Sequence, residues 1–260
     1  MTKETPSQEE KVVATDSNVE QKLENKPSKT VYALPNLLTT CGLFAGFYAI
    51  MQATQGHYEA ACIAIYVAMV MDILDGRLAR LTNTMSEFGS QYDSLADMIS
   101  FGLAPAFVVY QWSLNGLGKV GGLVTFVYLA CAALRLARFN VMKSEDKRHF
   151  TGLASPAAAG LVISAMYVCV DYDVSAKTIA PFMCLLVFAS GILMVSNVKY
   201  RSFKDFDVKD QMPFVGLIVC VLIFAAIYFD PPVAFLLVGT SYFFSGLFDY
   251  VWHNWKGRSQ

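Results

Sequence analysis

Charged residues are scarce in this chain, and this scarcity limits what the protein can be. Only 16% of the 260 residues are charged, against about 25% in typical soluble domains. The formal net charge is -1, so no basic surplus argues for a nucleic acid as partner. Apolar residues make up 55% and the mean hydropathy is +0.43. This composition indicates a protein of the lipid bilayer.

Paired cysteines and a signal peptide are also missing. The six cysteines lie singly inside apolar stretches, with no Cys-x-x-Cys pair and no histidine cluster nearby, and we interpret them as small core residues. Residues 1–30 are polar and lack the apolar stretch of a cleavable signal. We expect a disordered cytoplasmic tail there.

Long apolar runs are what the chain does have. A helix needs about 20 apolar residues to cross the hydrocarbon core, and this criterion predicts an all-α polytopic membrane bundle of about eight transmembrane helices. Residues 31–200 form the predicted six-helix catalytic core, and residues 201–260 a C-terminal helix pair with a short tail, which we expect to serve packing or dimer contacts. The segments are approximately Tyr32–Ala53, Tyr58–Leu74, Tyr92–Leu114, Val120–Phe139, Leu153–Val170, Ala176–Val195, Met212–Phe229 and Pro232–Trp252.

Lysine and arginine are concentrated on one predicted side of this bundle. Of the 20 such residues, only Lys119 and Lys177 fall in the opposite loops. Positive charge marks the cytoplasmic side of short loops. We therefore expect an integral protein of the inner or plasma membrane, with both termini and the active site cytoplasmic.

Four aspartates interrupt the second and third apolar segments, where carboxylates are costly and usually functional. At 100° per residue, the polar positions of each helix fall on one face, and the short turn Thr82–Ser86 holds the two helices antiparallel. We therefore expect the carboxylates to converge. The two stripes are Asp72, Asp75, Gly76, Ala79 and Arg80 on the first helix and Gly89, Asp93 and Asp97 on the second.

An all-oxygen cluster without cysteine or histidine favours Mg²⁺ or Mn²⁺ over Zn²⁺. The aspartates could instead form a buried salt-bridge network with nearby arginines, but four buried acids exceed what packing needs. A cation transporter could also use such carboxylates, although it has no need for the glycine and arginine pattern around them. A non-catalytic scaffold would be expected to carry apolar residues in place of the aspartates.

The full spacing of the motif resembles the signature of the CDP-alcohol phosphotransferase family. It reads Asp72-x2-Asp75-Gly76-x2-Ala79-Arg80-x8-Gly89-x3-Asp93-x3-Asp97. The resemblance implies CDP-diacylglycerol as donor, an alcohol acceptor, CMP as leaving group, divalent-metal dependence and a homodimer. It places the metal on Asp72, Asp75 and Asp93, with Asp97 as further ligand or general base. The CDP-lipid would lie against Asn36, Gly76, Ala79, Arg80 and Gly89.

Three further stretches bear on the acceptor: residues 34–39 (LPNLLT), 135–140 (RLARFN) and 152–156 (GLASP). Together they resemble the phosphatidylserine synthase branch, which commonly has proline where this chain has Ala154. L-serine is therefore the expected acceptor, with glycerol 3-phosphate or inositol as alternatives. An arginine pair at i and i+3 suits a carboxylate, although either arginine could be an interfacial anchor. The predicted serine pocket is Arg135, Arg138, Asn140 and Ser155.

Overall fold

The computed structural model describes residues 29–142, 150–200, 218, 221, 225–226 and 228–257. These residues are helical, apart from connecting turns and a two-residue antiparallel pairing of two short strands. The elements run in the order α1 (Lys29–Thr54), α2 (Tyr58–Leu81), α3 (Glu87–Asp97), a π-helical segment (Met98–Leu103), α4 (Ala104–Trp112), a 3₁₀ turn (Leu114–Leu117), α5 (Lys119–Met142), β1 (Phe150–Thr151), α6 (Ser155–Asp171), α7 (Ala176–Val195), β2 (Lys199–Tyr200) and α8 (Pro231–Gly257).

The all-helical class is confirmed, whereas the count of eight transmembrane helices remains a prediction. Among the described residues, three helices are long and apolar enough to cross a membrane: Ala33–Thr54, Lys119–Val141 and Ala176–Val195. On these helices the side chains of Phe44, Leu123 and Leu185 are 64%, 62% and 65% exposed. Large apolar side chains on the outer face suit a lipid surround. Most of the predicted seventh segment, Met212–Phe229, lies outside the described residues.

The helices pack in pairs around a core of small side chains. α1 lies along α2, α5 along α7, and α6 along α8. Alanines such as Ala49, Ala61 and Ala158 are completely buried, and small residues let helix backbones approach closely in membranes. The core therefore depends on close helix contact, with a few large side chains such as Tyr128 filling the remaining space.

The predicted third span is interrupted by a change of helix type. It begins at Glu87, five residues before the predicted start, and passes through the π-helical segment directly after Asp97. Ser100 in this segment donates a 3.1 Å hydrogen bond to the carbonyl of Gly42. A Cβ atom at Gly46 would lie 2.7 Å from the Ser100 Oγ, so only glycine permits this approach. The segment thereby fixes the end of α3 against α1.

Candidate active site

The site is built on the connection between α2 and α3. α2 ends at Leu81, and Asn83 adopts a left-handed conformation, with φ 51°, which asparagine tolerates better than most residues. α3 begins after Ser86, whose hydroxyl accepts a 2.9 Å hydrogen bond from the Gly89 amide, as a helix N-cap residue does. This tight connection turns the chain back on itself, so the aspartates of α2 face those of α3.

Three carboxylates meet at this connection. Asp72, Asp75 and Asp93 each offer an oxygen, and these atoms lie within 4.8 Å of one another. Asp75 is 4% exposed, and the other two are partly buried. Three converging carboxylates supply the oxygen ligands that a hard divalent cation prefers. The donor set therefore fits Mg²⁺ or Mn²⁺ and lacks the nitrogen and sulfur ligands that favour zinc.

Asp97 adjoins the other three aspartates. It lines a small cavity together with Asp72, Asp75 and Asp93, and it is partly buried. It is not one of the three residues whose oxygens come together. Its position beside the cluster is compatible with both roles that the resemblance implies, further ligand and general base.

A threonine on α1 supports the cluster. The Thr39 hydroxyl donates a 2.6 Å hydrogen bond to Oδ2 of Asp75, and Thr39 is 6% exposed. Hydrogen bonds to metal-ligating carboxylates hold them in place and tune affinity. Thr39 lies in the stretch at residues 34–39, but its role could not be predicted, because nothing in the sequence shows which aspartate it faces.

A cavity of about 190 Å³ opens beside the carboxylates, between α1, α2 and α3. It is lined by all five residues expected to contact the CDP-lipid, together with Asp75 and Asp93. A Cβ atom at Gly89 would lie 3.0 Å from Ser86 Oγ and 3.2 Å from Asn36 Oδ1, so glycine keeps this wall open. The lining is Pro35, Asn36, Thr39, Asp75, Gly76, Ala79, Arg80, Thr84, Met85, Ser86, Gly89, Ser90 and Asp93.

Arg80 contributes a positive charge to the lining of this cavity. Its Nε donates a 2.8 Å hydrogen bond to the carbonyl of Gly76, one turn earlier on α2. The side chain is exposed. A guanidinium held at one nitrogen keeps its remaining donors for an anionic group such as a phosphate.

The predicted serine-pocket residues are held by different partners. Arg135 Nη1 donates a 2.6 Å hydrogen bond to the hydroxyl of Ser155, so these two are in direct contact. Arg138 Nη2 donates a 3.0 Å bond to Asn197 Oδ1, beyond α7. The Nε of Arg135 is buried and has no hydrogen-bond partner among the described residues. Arg135 therefore has a donor to spare, which a ligand could use.

The remaining member of the predicted pocket, Asn140, turns toward α3. It accepts a 3.1 Å bond from the Ser94 hydroxyl and donates a 3.4 Å bond to Gln91 Oε1. Gln91, in the middle of α3, and Asn197, just after α7, were not predicted, because neither belongs to a spacing pattern that marks a site. Arg135 and Asp97 are near enough for their charges to affect each other, so the arginine end of α5 adjoins the aspartate motif.

The sequence of this region matches an established family. Residues 32–195, more than half of the chain, match the CDP-alcohol phosphatidyltransferase family. This chain belongs to that family. The family is a transferase family, and with its three apolar helices the protein is an integral membrane enzyme. α8 lies beyond the matched residues.

Several relatives of this chain have names that include serine. A CDP-diacylglycerol–serine O-phosphatidyltransferase of Helicobacter pylori is 37% identical over 214 residues, covering 82% of this chain and 88% of the relative. The enzyme of the same name from Mycobacterium leprae is 30% identical over 204 residues, covering 76% and 68%. An archaetidylserine synthase of Methanothermobacter thermautotrophicus is 36% identical over 180 residues, covering 68% and 73%.

Proposed function

We propose that this protein transfers the phosphatidyl group of CDP-diacylglycerol to the hydroxyl of L-serine, giving phosphatidylserine and CMP. The observation that carries the proposal is the cavity that opens directly beside the carboxylate cluster, in a chain of this family. The names of the relatives support serine. Two of them are named for CDP-diacylglycerol and serine and one for archaetidylserine, so serine is the part that all three names share.

The aspartate cluster is proposed to hold the metal. Asp72, Asp75 and Asp93 would bind Mg²⁺ or Mn²⁺, supported by the convergence of their oxygens, with Asp97 as a possible further ligand. When bound, such an ion neutralises the diphosphate of the donor and stabilises the departing CMP. Asn36, Gly76, Ala79, Arg80 and Gly89 would hold the cytidine diphosphate, because all five line the adjoining cavity.

The chemical step is a single in-line displacement. The serine hydroxyl oxygen forms a bond to the phosphorus of the phosphatidyl group, and the bond from that phosphorus to the CMP oxygen breaks. Asp97 accepts the proton of the hydroxyl as general base, supported by its place beside the other three aspartates. Asp93, the proposed metal ligand, and Asp97, the proposed base, thus lie one turn apart on the same face of α3.

Serine would be held at the cytoplasmic end of α5. Its carboxylate suits the spare Nε donor of Arg135, whose Nη1 bonds to Ser155. Arg138 and Asn140 complete the proposed pocket from the same helix end. The electrostatic interaction of Arg135 with Asp97 supports a serine that bridges the two, its carboxylate toward the arginine and its hydroxyl toward the aspartate.

We further infer the arrangement in the membrane. Eight spans with both termini and the site in the cytoplasm follow from the apolar runs and from the distribution of lysine and arginine. Acyl chains then stay in the lipid while CMP and serine exchange with water. A homodimer is inferred from family membership.

The decisive experiment measures CMP release by the purified protein in mixed micelles containing CDP-diacylglycerol. L-Serine, inositol and glycerol 3-phosphate are compared as acceptors, each with Mg²⁺, with Mn²⁺ and with EDTA. Metal-dependent CMP release with serine, accompanied by labelled serine in the lipid fraction, is the expected result. Release with inositol or glycerol 3-phosphate instead would reassign the acceptor, and full activity in EDTA would contradict the metal site.

A further inference from the structure

The C-terminal helix α8 is docked along α6 and reaches α2. At its beginning, Asp230 Oδ2 accepts a 2.9 Å hydrogen bond from the Tyr172 hydroxyl. The Phe235 ring then stacks on Tyr66 of α2, with centroids 4.7 Å apart. Further along, a Cβ atom at Gly239 would lie 3.3 Å from the Cα of Leu161. α8 is therefore packed closely against the family core, although it lies beyond the matched residues.

These contacts fix the register of α8 against α6. Asp230 meets Tyr172, and Gly239, nine residues later, meets Leu161, eleven residues earlier, so the two helices run antiparallel. The next turn of α8 brings Tyr242 level with the region of Ala158. That point is about one helical turn from Ser155, the residue that holds Arg135.

Tyr242 shares the surroundings of Arg135. Its side chain is partly buried and packs against the main core, near enough to Arg135 for the charges of the two groups to affect each other. Asp97, Tyr128 and Tyr242 are all near enough to act on the charge of Arg135. A long flexible side chain binds a carboxylate well only when surrounding groups restrict its rotamers.

We propose that Tyr242 is a positioning residue that orients the Arg135 guanidinium for the carboxylate of the acceptor, so that α8 forms part of the acceptor pocket. This inference rests on the proposed function, since it takes Arg135 to bind serine. It assigns α8 a role in acceptor affinity beyond the packing role expected from its apolar sequence.

The test is the variant Tyr242→Phe, which keeps the ring and its packing and removes only the hydroxyl. Loss of the hydroxyl near Arg135 should raise the KM for serine by about threefold to tenfold. The KM for CDP-diacylglycerol and the kcat should stay close to wild type. Tyr66→Phe is the matched control, because Tyr66 also packs against α8. The variant again removes only a hydroxyl, here one that pairs with Ser164 of α6 at 2.8 Å. Its serine KM should not change.

A double-mutant cycle separates positioning from general destabilisation. If Tyr242 acts through Arg135, the combined Arg135→Lys and Tyr242→Phe variant should show no greater rise in serine KM than Arg135→Lys alone. Additive effects, an unchanged serine KM in Tyr242→Phe, or an equal rise in Tyr66→Phe would each overturn the proposal.

Failure of the proposed function has a different signature. In that case the wild-type protein would release CMP with another alcohol and not with serine. This result would be seen before any variant is tested. The same comparison of KM values, repeated with that alcohol, would decide whether Tyr242 affects acceptor affinity through Arg135.

Discussion

The hydrogen bond from Thr39 to Asp75 offers a direct test of the metal site. Thr39→Val keeps the β-branched shape of the side chain and removes the hydroxyl that donates to Oδ2 at 2.6 Å. Asp75 would keep its charge and its burial, at 4% exposed, but lose a donor that holds the carboxylate in place. The expected result is a higher metal requirement, since an unsupported carboxylate binds a cation less well.

The size of this effect follows from the type of bond. A hydrogen bond to a charged group contributes about 1.5–3 kcal/mol, and both partners are almost fully shielded from water, so solvent screening reduces it little. Converted at 1.4 kcal/mol per factor of ten, this is about 10-fold to 150-fold in metal affinity. The range agrees with the losses of about 10-fold to 100-fold that follow removal of groups supporting metal ligands.

The assay titrates Mg²⁺ and Mn²⁺ against the rate of CMP release at saturating CDP-diacylglycerol and serine. Thr39→Val should need more metal for half-maximal rate and recover most of the wild-type rate at saturation. Thr54→Val is the control, because its hydroxyl bonds to the Met51 carbonyl on the same helix, away from the carboxylates. An unchanged metal requirement in Thr39→Val, or a lost rate that excess metal does not restore, would refute the reasoning.

Three further predictions concern the base, the cavity wall and the topology. Asp97→Asn should retain CDP-diacylglycerol binding and lose kcat by about 10²-fold or more; a near-normal rate would show that Asp97 is not the base. Gly89→Ala places a Cβ 3.2 Å from Asn36 Oδ1 and should raise the KM for CDP-diacylglycerol about tenfold, with an unchanged serine KM as internal control. Single cysteines at Lys119 or Lys177, in a cysteine-free background, should react with impermeant maleimides only from outside; labelling from the cytoplasmic side alone would invert the topology.

Much of the helical framework could be predicted because apolar runs report directly on helices in a membrane protein. The start of α2 at Tyr58 and both ends of α7, at Ala176 and Val195, were predicted correctly. The π-helical segment could not be predicted from periodicity. It depends on tertiary contacts, such as the 3.2 Å bond from the Tyr128 hydroxyl to the carbonyl of Phe101, that no local pattern encodes.

The aspartate cluster and the arginine pocket of the candidate site also differ in how far the sequence predicts them. The aspartate cluster was predictable, since α2 and α3 are neighbours in sequence and a five-residue turn leaves few ways to arrange them. The hydrogen-bond partners of Arg135 and Arg138 were harder to predict from the sequence. Both arginines lie on α5 three residues apart, yet one bonds to Ser155 and the other to Asn197. Which residue each reaches depends on how distant helices pack.

This difference suggests how the enzyme could separate recognition of donor and acceptor. The proposed donor contacts come from α1, α2 and α3, a contiguous part of the chain in which the carboxylates and the cavity share walls. The proposed acceptor contacts come from α5 and α6, with Asn197 supporting Arg138 from beyond α7 and α8 packed alongside. A change in the packing of the later helices can therefore alter the setting of Arg135 without moving the aspartates. Acceptor affinity should accordingly respond to substitutions on α8 that leave the affinity for CDP-diacylglycerol unchanged.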